Sequence, residues 1–364
     1  MVAFISILVV ILGFIFQSNK KYTWVMLLWM WVLFAFNTVN GDYIAYETIY
    51  NRIVANDARI ISLYEEFFVL LCQMGGRVFG WNYQQFIIFI ATLATILFAI
   101  LIKLYCNGVR QNLVISLFMI FLYWMFICQH RTYIALLLVL IGLYFLNIFK
   151  DWRGIAVYLV FLLMAVGFHR MAALYIVLIA SKFIDIKRLL LIVPILMFAV
   201  TQIRNPVFTS FMSKYLAGYK MDRWLYSDGS RTLTGMIILV FVRLLMVAVE
   251  YHCYYKRVRM GYKSKNMNNQ KFILKVTIIC LAMLPLELLK KDYERLVRLP
   301  LFLSFVFFAE YLEMSKIDRH HFPLNAIVYG SYLGLYLASF YVSFYGWFLH
   351  NLIPILNNNS LIPF

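Results

Sequence analysis

The chain has 364 residues, of which 64% are hydrophobic and only 13% are charged, with a formal net charge of +17. A mean hydropathy of +0.82 excludes a soluble globular domain, because apolar runs of membrane-spanning length recur from one end to the other. These runs predict an all-α polytopic membrane protein, and the five cysteines have no metal-ligand spacing.

The apolar runs predict about twelve transmembrane helices within a single integral membrane domain covering residues 1–364. The first run lacks a basic leading region and a small-residue cleavage site, so we interpret it as a retained span. The predicted spans are 2–17, 22–36, 84–102, 113–129, 132–149, 154–168, 171–184, 189–203, 233–254, 272–289, 296–313 and 323–345.

The distribution of lysine and arginine predicts the topology. The basic connections fall on alternate loops, so the positive-inside rule places them in the cytoplasm, the most basic being loop 255–271, and both termini outside. This requires that residues 65–79 form a short re-entrant or interfacial helix, which their length favours. If they cross instead, the first two helices invert and loop 37–64 becomes cytoplasmic.

Residues 37–83 form an outer loop that includes this short helix. Asn40-Gly41-Asp42 is a turn signal, and Asp42 is either the N-cap of the next helix or a chemical group. Three tyrosines then recur at helical spacing, with Glu47 on the side of the first one. They are Tyr43, Tyr46 and Tyr50. Such a row indicates either anchors at the membrane interface or a surface on which sugar rings pack.

Two His-Arg pairs, His130-Arg131 and His169-Arg170, each begin an inward-going apolar helix at the outer leaflet. Snorkelling arginines with hydrogen-bonded histidines are one interpretation. However, arginine at a helix N-terminus opposes the helix dipole unless an anion is present. A phosphate held jointly by both arginines explains the recurrence, and a neighbouring neutral histidine is a candidate general base.

Further arginines lie within helices or at their outer mouths, where they are costly unless they face water or an anion. In residues 286–300, Arg295 and Arg298 are three apart and share a helix face, which suits one pyrophosphate. Salt bridges to the nearby acids are the alternative. Arg243 and Arg231 add to a cationic cavity that opens outward. The outer loop 204–232, with Trp224, is either an amphipathic surface helix or a lid that binds glycan.

These polar positions resemble the EpsG family, the O-antigen-polymerase-like (Wzy-type) membrane glycosyltransferases of bacterial polysaccharide assembly. The likeness covers residues 1–345, and the chain departs from it where Gln129-His130 precedes Arg131-Thr132 instead of an Arg-Gln pair. The positions that carry it are Asn40-Gly41-Asp42-Tyr43, Tyr46, Tyr50, Glu65, Arg131, His169 and Glu294-Arg295.

The resemblance implies a GT-C-like polymerase that moves a growing glycan from undecaprenyl pyrophosphate onto a new lipid-linked repeat unit. The reaction occurs at the periplasmic face of the bacterial inner membrane, without nucleotide or cofactor, and we expect no metal. The expected partners are undecaprenyl-pyrophosphate-linked oligosaccharides, membrane lipid, and a chain-length regulator or other assembly proteins, and we expect no nucleic acid. We assign the pyrophosphate to Arg131, Arg170, Arg295, Arg298, Arg243 and Arg231, and the base to His169 ahead of Asp42. We assign the glycan to Tyr43, Tyr46, Glu47, Tyr50, His130, Glu65 and Trp224.

A flippase or other transporter of lipid-linked oligosaccharide is the main alternative, and a glycan ligase is a closer one. Transporters usually have related halves with charges at the membrane midplane. This chain has no repeat beyond the His-Arg echo, and its charges cluster at the outer mouth, which favours an enzyme.

Overall fold

Every regular element in the described part of the computed structural model is a helix, which confirms the all-α class. The structure describes residues 1–106, 110–201, 233–259, 266–289, 291–314, 327–332, 334–335 and 345–362.

The helices up to residue 201 are α1 (Val2–Ile15), α2 (Lys20–Ala35), α3 (Tyr43–Val54), α4 (Ala58–Leu63), α5 (Glu66–Gln73), α6 (Tyr83–Tyr105), α7 (Gln111–Phe118), α8 (Trp124–Cys128), α9 (His130–Ile148), α10 (Trp152–Phe168), α11 (Ala180–Phe183) and α12 (Ile186–Thr201). Single π-helical turns follow α5 (Met74–Val78) and α7 (Met119–Tyr123), and a 3-10 helix (Arg170–Ile179) precedes α11.

The later helices are α13 (Leu233–Arg259), α14 (Asn266–Leu281), α15 (Leu284–Leu289), α16 (Arg298–Met314) and α17 (Tyr345–Asn357), with a 3-10 helix (Lys291–Val297) before α16.

Polar caps set several of these helix starts. The Asn19 side chain accepts hydrogen bonds from two amides of the first turn of α2. Asn82 and Gln85 form a reciprocal capping box at the start of α6, and Asp151 caps α10. Each cap satisfies amides that have no partner inside the helix, so these positions are fixed by local chemistry.

Four helical segments in the described part are long and apolar enough to cross a membrane: Tyr83–Tyr105, Gln111–Cys128, His130–Ile148 and Thr234–Arg259. Two shorter apolar helices are Val2–Ile15 and Trp152–Phe168. The helices therefore have the composition of a polytopic α-helical membrane protein, as predicted.

The chain forms two compact units, one of Met1–Ile176 with Phe344–Phe364 and one of Val177–Ser343. In the first unit α2 lies antiparallel to α6. Gln84 Nε2 donates to the carbonyl of Ala35 at one end (2.6 Å), and Trp31 Nε1 donates to Thr92 Oγ1 farther along (2.9 Å). Helix α9 packs against α6 and α10, and most of its residues are buried.

The C-terminal helix α17 completes the first unit. The Asn351 Oδ1 atom accepts from the Gly41 amide (2.9 Å) and from Cys128 Sγ (3.3 Å). Beyond the helix, the Ser360 amide donates to the carbonyl of Phe36 (2.9 Å). The predicted turn at Gly41 is thus held by a segment more than three hundred residues later in the sequence.

Helix α5 and its π turn span residues 66–78. At about 1.5 Å per residue this gives about 20 Å, which is less than the ~30 Å hydrocarbon core of a bilayer. Gly76 allows close packing against α3, because a Cβ atom there would lie 2.1 Å from Val54 Cγ2. Arg77 Nε also donates to the carbonyl of Val54 (2.9 Å). The Gly-Gly-Arg sequence therefore docks the end of this short helix onto α3.

Candidate functional site

The site begins at a break between α8 and α9. Gln129 has φ −112° and ψ 55°, which lies outside the helical region, and α9 starts at His130. His130 and Arg131 therefore lie in the first turn of α9, as the sequence predicts. The first amides of that turn have no partner within the helix, so both the amides and the guanidinium favour a nearby anion.

Glu65, the N-cap residue of α5, supplies an anion. Its Oε2 forms an ion pair with Arg131 Nη1, with side chains only 10% and 14% exposed respectively. Its Oε1 accepts a hydrogen bond from the Arg170 backbone amide (3.2 Å). The two His-Arg stretches, 39 residues apart in sequence, thus converge on one carboxylate.

Three aromatic rings surround the Arg131 guanidinium. Its Cζ lies 4.7 Å from the ring centroid of Tyr64, 5.2 Å from that of Phe68 and 5.5 Å from that of Tyr46. Its Nε also donates to the Tyr46 hydroxyl (3.3 Å). The cation–π contacts and the Glu65 ion pair hold a planar group in one orientation, which a lysine ammonium could not reproduce.

His130 lies beside this cage and is only 2% exposed. Its ring centroid is 4.2 Å from that of Tyr46, and its Nε2 has no hydrogen-bond partner among the described residues. The same histidine lines a small cavity with Asn37, Asn40 and Tyr43. The volume of this cavity is about 10 Å³, which is close to the minimum that holds one water molecule.

The predicted site residues at the start of α3 and within it differ from one another in their contacts. Asp42 occupies the N-cap position, but its side chain makes no capping hydrogen bond. Tyr43 donates to Gln84 Oε1 (2.9 Å), and burial, then the nearby charge of Glu47, raises the pKa of its hydroxyl. Tyr50 is buried and donates to the carbonyl of Trp81 (2.7 Å), so it contributes to packing.

His169 connects α10 to the following 3-10 helix and is 8% exposed. Its Nδ1 accepts from the Met171 amide (3.3 Å), so a neutral imidazole carries its proton on Nε2. Arg170 is exposed, and its Nη2 lies 3.5 Å from the carbonyl oxygen of Tyr64. His169 therefore directly precedes Arg170, whose amide donates to Glu65. Its Nδ1, however, already accepts a hydrogen bond from the Met171 backbone amide.

The second unit contains three other predicted arginines. Arg243 is buried and pairs with Glu287, with Nε and Oε2 3.6 Å apart. Arg298 is 5% exposed and begins α16, while Arg295 is half-buried in the preceding 3-10 helix. Arg243 is thus paired with one of the acids of the 286–300 segment that contains Arg295 and Arg298. Trp224 and Arg231 lie outside the described residues.

Sequence reasoning missed three buried or site-forming residues. Tyr64 and Phe68 belong to the cage, and the signal was their position immediately before and three residues after Glu65. Glu250 is fully buried in α13, where its Oε1 accepts from the hydroxyl of Ser304. An acid inside an apolar run was the available signal for Glu250.

The sequence model of the EpsG family matches residues 20–354, nearly the whole chain. No curated protein and no solved structure matches it. The match contains both His-Arg pairs, the Glu65 bridge and the aromatic cage. The chain therefore belongs to the EpsG family, a family of Wzy-like polysaccharide polymerases.

Proposed function

We propose that the protein is a polysaccharide polymerase that transfers a growing glycan from undecaprenyl pyrophosphate onto a new lipid-linked repeat unit. Family membership supports polymerisation as the reaction class. One geometric observation carries the proposal further, namely that a single carboxylate, Glu65, bridges the Arg131 guanidinium and the Arg170 amide. This arrangement is a built anion site at the junction of the two His-Arg stretches.

In the proposed mechanism Glu65 occupies this anion site when no substrate is bound. An incoming pyrophosphate competes for Arg131, whose guanidinium has five N–H donors while the two side-chain bonds described above use two. The exposed Arg170 side chain supplies a second cation at the same place. Such fixed donors stabilise the negative charge that develops on the leaving group.

The reaction needs no nucleotide. The acceptor hydroxyl oxygen forms a bond to the anomeric carbon while the bond from that carbon to the pyrophosphate oxygen breaks. The electron pair of the broken bond leaves with undecaprenyl pyrophosphate, and the hydroxyl proton passes to a base of the chain. Because cationic side chains serve the leaving group, we expect the reaction to proceed without an added divalent ion.

Two residues are candidates for the base, His169 and Asp42. The Met171 amide occupies Nδ1 of His169, so its remaining nitrogen is protonated in the neutral ring and cannot accept a proton. Asp42 carries a carboxylate and directly precedes Tyr43, which lines the small cavity next to His130. This comparison favours Asp42 as the base and reverses the order that the sequence indicates.

We propose about twelve spans in a GT-C-like arrangement, in a bacterial inner membrane, with the Arg131 region facing the periplasm. Arg295 and Arg298 are proposed as further pyrophosphate ligands. A chain-length regulator is the proposed protein partner.

The test is polymerisation by the purified protein. The protein is incubated with a lipid-pyrophosphate-linked repeat unit, with EDTA and without nucleotide, and products are separated on a gel. We expect a glycan ladder for the wild type and for Arg59→Ala, which changes an exposed arginine in the same outer segment. We expect Arg131→Lys to lose the ladder while remaining folded, because an ammonium cannot reproduce the planar, fixed N–H donors of a guanidinium.

Two comparisons separate the remaining possibilities. Loss of the ladder in Asp42→Asn but not in His169→Gln would assign the base to Asp42, and the reverse result would assign it to His169. Absence of a ladder from the wild type with several authentic repeat units would contradict the polymerase. A flipping assay in proteoliposomes would then test the transporter alternative.

A further inference from the structure

A groove runs between the antiparallel helices α2 and α6 in the first unit, away from the Arg131 cage. Its volume is about 540 Å³, within the ~300–1,000 Å³ range of ligand sites. Apolar side chains line most of it, among them Trp24, Leu27, Ile96, Ala99 and Ile100. The walls therefore suit a long hydrocarbon chain.

Polar contacts fix one end of this groove. Thr23 Oγ1 donates to Asn112 Oδ1 (2.6 Å), and Gln111 Nε2 donates to Thr23 Oγ1 (3.3 Å). The Asn112 amide group also donates to the carbonyl of Asn19 (3.0 Å), the residue that caps α2. These bonds hold the start of α2 against the start of α7, so the groove is formed before any ligand arrives.

Two lysines lie at the same end. Lys20 is in the first turn of α2 and Lys103 is in the last turn of α6, and both line the groove with exposed side chains. The groove lining that the structure describes contains no carboxylate, and α2 has no acidic residue in its first turn. The end of the groove is therefore cationic, while its walls are apolar.

We propose that this groove binds one anionic phospholipid, with the phosphate between Lys20 and Lys103 and an acyl chain along the apolar wall. The amphipathic lining matches a ligand with one charged end and a long apolar tail. The positive-inside prediction places both lysines on the cytoplasmic side, opposite the proposed outward-facing polymerisation site. That placement favours a phospholipid of the inner leaflet over the polyprenyl carrier.

The experiment measures lipid retention and does not depend on glycan chemistry. The full chain is exchanged into nanodiscs that contain equal amounts of phosphatidylglycerol and phosphatidylcholine, then released into detergent for native mass spectrometry. We expect preferential retention of one phosphatidylglycerol. The double variant Lys20→Gln/Lys103→Gln should reduce that preference roughly twenty-five-fold, since each lysine near the surface is worth roughly a factor of five.

Two matched pairs make the result specific. Lys21→Gln, an exposed neighbour outside the groove, should retain the preference, as should Leu97→Trp on α6. Ala99→Trp should reduce retention of either lipid, because Ala99 lines the wall. The proposal would be overturned if the wild type retained both lipids equally, or if Lys21→Gln lost the preference for phosphatidylglycerol as much as the double variant. Displacement of phosphatidylglycerol by equimolar undecaprenyl phosphate would also overturn it.

Discussion

A guanidinium that is only 14% exposed needs a counter-ion, and Glu65 provides one for Arg131. Removing one partner of such a pair costs far more than the pair contributes, because the other charge stays buried. The aromatic rings of Tyr46, Tyr64 and Phe68 offset part of this cost. At the residue scale, the site is therefore an ion pair between the Glu65 carboxylate and the Arg131 guanidinium.

Replacing Glu65 with glutamine should leave the buried Arg131 cation without its counter-ion. We expect Glu65→Gln to lower the free energy of unfolding by about 3–5 kcal/mol, because Arg131 loses its buried counter-ion. Inorganic pyrophosphate should raise the melting temperature of this variant more than that of the wild type, since the anion site is vacated. Thermal unfolding in detergent, with and without pyrophosphate, measures both effects.

The neighbouring acid provides the control for this measurement. Glu66 is exposed in the first turn of α5, so Glu66→Gln should leave the melting temperature and its response to pyrophosphate unchanged. A destabilised Glu65→Gln without recovery by pyrophosphate would mean that the ion pair is structural and that Arg131 is not an anion site.

At the scale of elements, the segment that leads from α3 to Glu65 contains the junction between α3 and α4. Asp57 caps α4 by accepting from the amides of Arg59 (3.0 Å) and Ile60 (3.4 Å). The same carboxylate pairs with Arg52 in the last turn of α3 (2.6 Å). Since α4 has only six residues, it depends on this cap and on its neighbours more than on helix propensity.

Asp57→Ala should therefore loosen α4 while leaving α3 folded. Hydrogen exchange of the amides at 58–63 should become faster, because two amides lose their acceptor. Arg59→Ala should not have this effect, since only its backbone amide takes part in the cap. Unchanged exchange in Asp57→Ala would contradict the capping role.

The same contact predicts a pH dependence. The Arg52 hydrogen bond, followed by the two amides, lowers the pKa of Asp57 below its usual 3.8. A lowered folded-state pKa means that the contribution of Asp57 to stability is complete above the ordinary pKa and disappears as pH falls through the lowered value. Protection of α4 in the wild type should thus persist down to about the usual pKa of an aspartate.

At the scale of the whole molecule, the C-terminal segment belongs to the same unit as the first helices. Asn359 is 4% exposed, and its Nδ2 donates to the carbonyl of Val32 (3.1 Å) while its Oδ1 accepts from the Leu361 amide (3.1 Å). Asn351 ties the same segment to the turn at Gly41. The geometry around Asp42 thus depends on residues at the end of the chain.

Asn359→Ala should weaken this attachment. The free energy of unfolding should fall by about 1–3 kcal/mol, because buried backbone groups lose their partners. Thermal unfolding measures the change, and Asn357→Ala is the matched control, since Asn357 is exposed at the end of α17. Equal melting temperatures for the two variants would show that the C-terminal segment does not stabilise the first unit.

Hydropathy was sufficient to predict the membrane class and most helix positions. Arg131 and His130 were correctly placed at a helix start, because apolar runs and the polar residues at their ends are local features of the chain. The ion pair between Arg131 and Glu65 was not predicted, because it joins residues that are 66 positions apart in the sequence. The spacing of apolar residues along a helix does not indicate which residues of distant segments come into contact.

By itself, the sequence determined the all-α membrane class, the short helix after Glu65 and the positions of the His-Arg pairs, since these follow from composition and local spacing. Only the tertiary structure decided that Glu65 bridges Arg131 and the Arg170 amide, and that Tyr50 is buried in packing. The physical reason is that a buried charge is satisfied by whichever opposite group the fold brings within hydrogen-bond distance, and that choice belongs to the packed chain as a whole.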